Sequence, residues 1–214
     1  MRVVHYGQSC VLVETGSARL LFDPGVLSSG FEDLRDLTAI LITHQHFDHL
    51  DTAKLPALVK ENPRATLVVD PGTAEAEIAK LELEALTARP GDALTLGGAA
   101  VNVVGGNHAV IHRDYPVPPN NGYVVEHGAF YHPGDSFFVP EQKIDVLGVP
   151  IGAPWLKAGE AIDFQRAVSP RLSVPIHQAM LSDIGREGIA GWLTRLAPEG
   201  TELRTLTPLE PAES

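Results

Sequence analysis

Three imidazoles and a carboxylate fall within six residues, in the stretch Thr43-His44-Gln45-His46-Phe47-Asp48-His49-Leu50-Asp51. Isolated loop histidines are usually just solvated, but four ligand-type side chains packed this closely point to a metal. Imidazole nitrogen and carboxylate oxygen together suit zinc or a neighbouring first-row ion.

A cluster of this kind needs a rigid base. The apolar run Ala39-Ile40-Leu41-Ile42 before it reads as a short buried strand. After it, Asp51 is an N-cap residue and Leu55, Leu58 and Val59 follow at helical spacing, which predicts a helix starting at Asp51. The cluster therefore belongs on a strand-to-helix turn.

Strand patterns recur along the chain. Residues 2–6, 10–14 and 18–22 predict three strands, separated by turns at Gly7-Gln8-Ser9 and Thr15-Gly16-Ser17 and closed by Asp23-Pro24-Gly25. Residues 65–69 predict another strand, followed by a helix capped by Thr73. Residues 93–96 and 100–104 flank Gly97-Gly98, a hairpin signal. Pro116 to Gly122 reads as an active-site loop, and 123–126 pairs with 129–132 around His127-Gly128. Strands over 144–151 and 171–176, with a helix over 159–168, follow. A last helix carries Ile189, Trp192, Leu193 and Leu196 as a core stripe. Residues 202–206 read as an edge strand, and the tail after Pro208 as frayed.

Three more ligand-type residues fall just past strand ends: His108 after 100–104, Asp135 in Pro133-Gly134-Asp135, and His177 after 171–176. The ordered series H-x-H-x-D-H, His, Gly-Asp, His resembles the ligand signature of the metallo-β-lactamase superfamily. The short form resembles the branch that contains L-ascorbate-6-phosphate lactonase-like proteins and other metal-dependent hydrolases. That resemblance implies an αββα sandwich spanning 1–214, with two mixed sheets face to face and helices outside. It implies two divalent ions, zinc first, with manganese or iron as alternatives. His44, His46 and His108 would hold the first ion, Asp48, His49 and His177 the second, and Asp135 would bridge them. A bridging hydroxide would then attack the substrate, with no serine or cysteine nucleophile.

Other residues carry alternatives. In some family members the loop equivalent to Gly7-Gln8-Ser9 is Gly-His-Ser. Gln8 can hydrogen-bond a ligand but cannot accept a proton. His112, on the face of His108 if the stretch stays extended, is either a catalytic group for a leaving group or anion, or a solvated loop residue. His132 is either a support behind Asp135 or a bystander, and His5 belongs to core or site. His127 reads as surface, and Cys10 as a small buried hydrophobe rather than a nucleophile.

Composition narrows the function. The 214 residues, 44% hydrophobic, suffice for one core, and the net charge is −11. An acidic surface disfavours nucleic acid. One cysteine permits no intrachain disulfide, which fits a reducing compartment. No signal-peptide or membrane-span pattern is present, so the expected setting is cytoplasmic, away from membranes. The reading is a hydrolase of a small ester, lactone or phosphodiester, its substrate small and possibly anionic. A mononuclear iron oxidoreductase of the persulfide dioxygenase type and a non-catalytic metal-binding protein are the alternatives.

Overall fold

Alternation along the strands sorts side chains into separate layers. In Ala18–Phe22, Leu20 and Phe22 enter one apolar cluster while Leu21 enters another, and in Ala39–Leu41 the same split separates Ala39 and Leu41 from Ile40. Period-two alternation with both faces apolar is what a sheet covered on both sides requires.

The computed structural model describes residues 1–206 and 211–213. Its strands are β1 (Arg2–His5), β2 (Val11–Thr15), β3 (Ala18–Phe22), β4 (Ala39–Leu41), β5 (Thr66–Val69), β6 (Leu86–Thr87) and β7 (Ala93–Leu96), followed by β8 (Ala99–Asn107), β9 (Pro119–Val125), β10 (Phe130–His132), β11 (Val146–Pro150), β12 (Leu172–Ile176), β13 (Glu202–Leu203) and β14 (Pro211–Glu213). They form two seven-stranded sheets, ordered β14-β1-β2-β3-β4-β5-β6 and β13-β12-β11-β10-β9-β8-β7. Both are mixed: β1 to β3 and β7 to β10 pair antiparallel, while β3 to β6 and β10 to β13 pair parallel.

The inner faces share one core that includes Val13, Phe22, Leu41, Tyr123, Phe130 and Val174. Outside the first sheet, Leu55 and Leu58 of helix Leu55–Glu61 pack with Ile40 and Val69. Outside the second, Phe164 of helix Ala158–Val168 and Leu193 of helix Asp183–Arg195 pack with Leu147 and Val149. This is the four-layer αββα sandwich. Among the described residues no helix is long and apolar enough to cross a membrane.

Several local expectations need correcting. The first helix begins at Leu55, because Asp51 Oδ1 instead accepts from the backbone N–H groups of Ala53 and Lys54 in a tight turn. Asp70, not Thr73, caps the helical run from Pro71, accepting from Gly72 and Thr73 N–H. The stretch 119–122 is strand rather than loop. Its asparagines carry out pairing that composition does not reveal: Asn121 Nδ2 donates to Ala88 O and Asn120 Nδ2 to Pro133 O. In the last helix only Leu193 is buried; Trp192 is half exposed, with the Arg195 guanidinium over its ring. The edge strand near 202 is shorter than expected. Of the tail, residues 207–210 and 214 lie outside the described residues, whereas Pro211–Glu213 pairs antiparallel with β1 instead of fraying.

Candidate metal centre

The parallel strands end at one rim of the sandwich, and the ligand-type residues follow directly. β4 runs through Ile42 and Thr43 into the turn from His44 to Leu50, closed by His49 N–H and Leu50 N–H donating to His46 O. From the opposite sheet, β8 runs into His108, β10 through Pro133-Gly134 into Asp135, and β12 into His177. Two glycines let these loops close up. A Cβ on Gly25 would lie 2.0 Å from Asp48 O, and one on Gly134 (φ +62°) would lie 2.3 Å from Asn120 Oδ1.

Seven ligand-type side chains converge in two groups. His44, His46, His108 and Asp135 form one, and Asp48, His49 and His177 the other, with the ligand atoms of each group within 4.8 Å of one another. Asp135 faces both. Its Oδ1 lies 3.0 Å from His49 Nε2 and 3.2 Å from His177 Nε2, and its Oδ2 lies 3.2 Å from His108 Nε2. His44 Nε2 lies 2.9 Å from His46 Nδ1. Asp48 Oδ2 is 3.1 Å from His177 Nε2.

These groups fit a metal on their own evidence. Nε2 of His49, His108 and His177 and Oδ1 of Asp135 are buried without a hydrogen-bond partner. Leaving such atoms unsatisfied is costly, and a cation would satisfy all of them. The outer ring nitrogens, by contrast, are engaged. Nδ1 of His44 meets Thr43 Oγ1, that of His49 meets Asp23 Oδ2 at 2.7 Å, that of His108 meets Ala109 O, and that of His177 meets Gly152 O at 2.6 Å. An N–H held on the outer nitrogen leaves the inner lone pair free for a metal.

The charges differ between the two groups, the imidazoles of the first being pushed toward the neutral form and those of the second toward the charged form by the carboxylates beside them. Burial, and then the neighbouring His49, push His44 well below the ordinary imidazole range; burial and His108 lower His46. Neutral imidazoles are the ligand form. Burial would raise Asp48, but the His177 hydrogen bond and the His49 charge outweigh it and hold it at about 2. Burial opposes the charged form of His177 too, yet the carboxylates of Asp135 and Asp48 raise it to about 9. His49 rises well above its usual value despite burial, because Asp135 and Asp23 flank it, and Asp135 is held well below the carboxylate range.

A supporting layer surrounds the seven. Gln8, buried in the β1–β2 turn, donates from Nε2 to Asp48 Oδ2 at 2.8 Å and accepts at Oε1 from Ala179 N–H at 2.9 Å. Its carbonyl accepts from His177 N–H at 2.7 Å and from His5 Nε2–H at 2.9 Å. Two supports were not singled out in the sequence. Asp23 accepts from Thr43 N–H and Oγ1–H, both at 2.8 Å, besides holding His49. Trp155 Nε1–H donates to Asp135 Oδ2 at 3.0 Å. Gln8, Asp23 and His177 all adopt positive φ, +48°, +45° and +58°, an uncommon backbone state that concentrates at functional sites.

The remaining histidines separate clearly. His132 is buried, stacked on Phe22 at 5.4 Å; its Nε2–H donates to Ser9 O while Nδ1 accepts from Gly134 N–H, steadying the turn before Asp135. His5 ties Gln8 and Gln178 together. His112 lies on an exposed loop, its Nδ1 accepting from Asp114 N–H. His127 is exposed in a turn, and Cys10 is fully buried.

A family model described as the beta-lactamase superfamily domain matches residues 2–177, from β1 through His177. The chain belongs to the metallo-β-lactamase superfamily. This superfamily member is 48% identical over 200 residues to protein Rv0786c of Mycobacterium tuberculosis, covering 92% of each chain. It is 31% identical over 200 residues to a UPF0173 metal-dependent hydrolase of Pyrobaculum arsenaticum, covering 83% of this chain and 84% of that one. Among solved structures it resembles the metallo-β-lactamase fold protein YhfI from Bacillus subtilis, with a TM-score of 0.77 at 16% identity over 100% of this chain and 98% of that one. All seven ligand-type residues of the superfamily member lie inside the matched stretch.

Proposed function

We propose that this metallo-β-lactamase superfamily member is a metal-dependent hydrolase of a small ester, lactone or phosphodiester. The observation that carries the reading is the convergence of seven ligand-type side chains in which Nε2 of His49, His108 and His177 and Oδ1 of Asp135 are buried without a hydrogen-bond partner. The UPF0173 relative named a metal-dependent hydrolase, alike along most of both chains, supports it.

His44, His46 and His108 would hold one divalent ion and Asp48, His49 and His177 the other, with Asp135, which faces both groups, completing the set. Zinc suits this donor set best. Bound there, such ions would supply Lewis acidity, lowering the pKa of a water and polarising the scissile group. The chain's own residues then orient and tune. Asp23 and Thr43 fix the His44–His49 turn, Gln8 points Asp48 inward, and Trp155 takes up part of the Asp135 Oδ2 electron density. The left-handed His177 backbone, its N–H on Gln8 O, keeps its ring aimed at Asp48 and Asp135.

Elemental analysis of protein purified without chelator, combined with a panel of esters, lactones and phosphodiesters and an oxygen electrode, tests this. The expected result is about two divalent ions per chain and hydrolysis without oxygen uptake. One iron per chain with oxygen consumption would overturn it in favour of an oxidoreductase.

A further inference from the structure

Every loop that supplies a ligand also exposes a large apolar side chain within three residues of it. Phe47 lies between His46 and Asp48 and is 63% exposed; Val110, two residues past His108, is 62% exposed; Phe138, three past Asp135, is 42% exposed; and Met180, three past His177, is 60% exposed. Val26, also exposed, joins the first of these through its N–H to Phe47 O at 2.9 Å. In a chain of net charge −11 this recurrence at the ligand loops needs a reason. Exposed apolar side chains gathered beside a site are commonly covered by what binds there.

The same loops lack fixed cations. No Lys or Arg lies within three residues of any of the seven ligand-type side chains. Arg113, five residues past His108, points outward beside Asp114 with its side chain 87% exposed. A cleft of about 400 Å³ lies beside the first group of ligand-type residues, lined by His108, Val110, Ser136, Phe137, Phe138 and Trp155. Its only acidic residue, Glu160, is engaged with Lys157 N–H at the start of its helix. Trp155 therefore has two roles, since its indole N–H holds Asp135 while its ring faces Phe137 at 5.3 Å.

We propose that the group flanking the scissile bond is apolar and uncharged, an aryl or branched alkyl chain seated in the Trp155–Phe138 cleft, so that the substrate is a neutral ester or lactone rather than a phosphodiester or a carboxylate-tagged acyl compound. The inference rests on the hydrolase reading of the same centre. An anionic tail in this cleft would lose its hydration and meet no basic partner, whereas a ring would meet aromatic walls.

Three hydroxamates, each carrying the same metal-binding head, test it by calorimetric titration of the zinc-loaded full chain. Benzohydroxamate should bind about tenfold or more tightly than acetohydroxamate, the difference being buried ring surface. A 4-carboxylate on the ring should reverse most of that gain. In Phe138→Ser and Val110→Asp, acetohydroxamate affinity should hold while the preference for the ring disappears. Equal binding of all three, or tightest binding of the carboxylated probe, would overturn the proposal. So would sedimentation with phosphatidylcholine vesicles together with indifference to the tail, because the rim would then be a membrane-facing surface. If none of the three binds a chain that holds zinc, the hydrolase reading of that centre falls, an outcome distinct from loss of tail preference alone.

Discussion

The indole N–H of Trp155 donates to Oδ2 of Asp135 at 3.0 Å, the carboxylate oxygen that faces His108, while Oδ1 faces His49 and His177. One residue of the loop after β11 thus holds in place the carboxylate that both groups of ligands share.

Trp155→Phe keeps the ring in the cleft and removes only this donor. Metal affinity should drop by about 10- to 100-fold, the usual effect of losing a hydrogen bond behind a ligand, read by competition with a chromogenic chelator. The chain has two tryptophans, so in a Trp192→Phe background the fluorescence of Trp155 should change on metal addition and saturate with it. An unchanged chelator titration in Trp155→Phe would remove Trp155 from the site.

Gln8→Ala should cost about 1–3 kcal/mol of stability, since Ala179 N–H and Asp48 each lose a buried partner. Gln8→Glu should be worse for the protein without metal, because a second carboxylate would face Asp48 where an N–H donor now lies 2.8 Å away. Thermal unfolding with and without chelator separates the two effects, with the Glu variant regaining more stability on metal addition than the Ala variant.

His177→Ala and His127→Ala form a matched pair. Losing His177 should release about one of two ions and reduce turnover by more than about a hundredfold, since a direct ligand should matter more than its supports. His127 lies in an exposed turn at φ +57°, and Ala carries the same Cβ there, so stability, metal content and turnover should stay nearly unchanged. Elemental analysis and unfolding of both proteins give the comparison. Retention of both ions by His177→Ala would assign that corner of the site to another residue.

Asp23→Asn keeps the shape but gives His49 Nδ1 a neutral partner. Metal affinity should fall about 10- to 100-fold, and stability should fall by about 1–3 kcal/mol as the Thr43 contacts weaken. Equal chelator resistance in wild type and variant would make Asp23 purely structural.

What could be read from the sequence was what is local. His44 to His49 declare themselves by adjacency, and His108, Asp135 and His177 by following strand patterns. The β3 and β4 alternation into two cores is visible residue by residue. Asp23 and Trp155 are different, because each acts on a ligand at least twenty residues away, and the sequence around Asp23 is an ordinary Asp-Pro-Gly turn. The stretch Pro119–Gly122 looks like a loop by composition, yet it is strand because Asn120 and Asn121 satisfy backbone groups of distant segments, including Asp135 N–H on Asn120 Oδ1. Tertiary partners overrode local preference there.

The two groups of ligands straddle the two sheets, and that division sets when a nascent chain can capture metal. Residues up to β6 carry His44, His46, Asp48 and His49, yet neither group closes without His108 and Asp135 or without His177 from the later sheet. An emerging amino-terminal half therefore carries only part of either group. Capture of an ion by a full group would have to wait for the carboxy-terminal sheet to dock, and such an ion would then act as a rivet between halves that were made at different times.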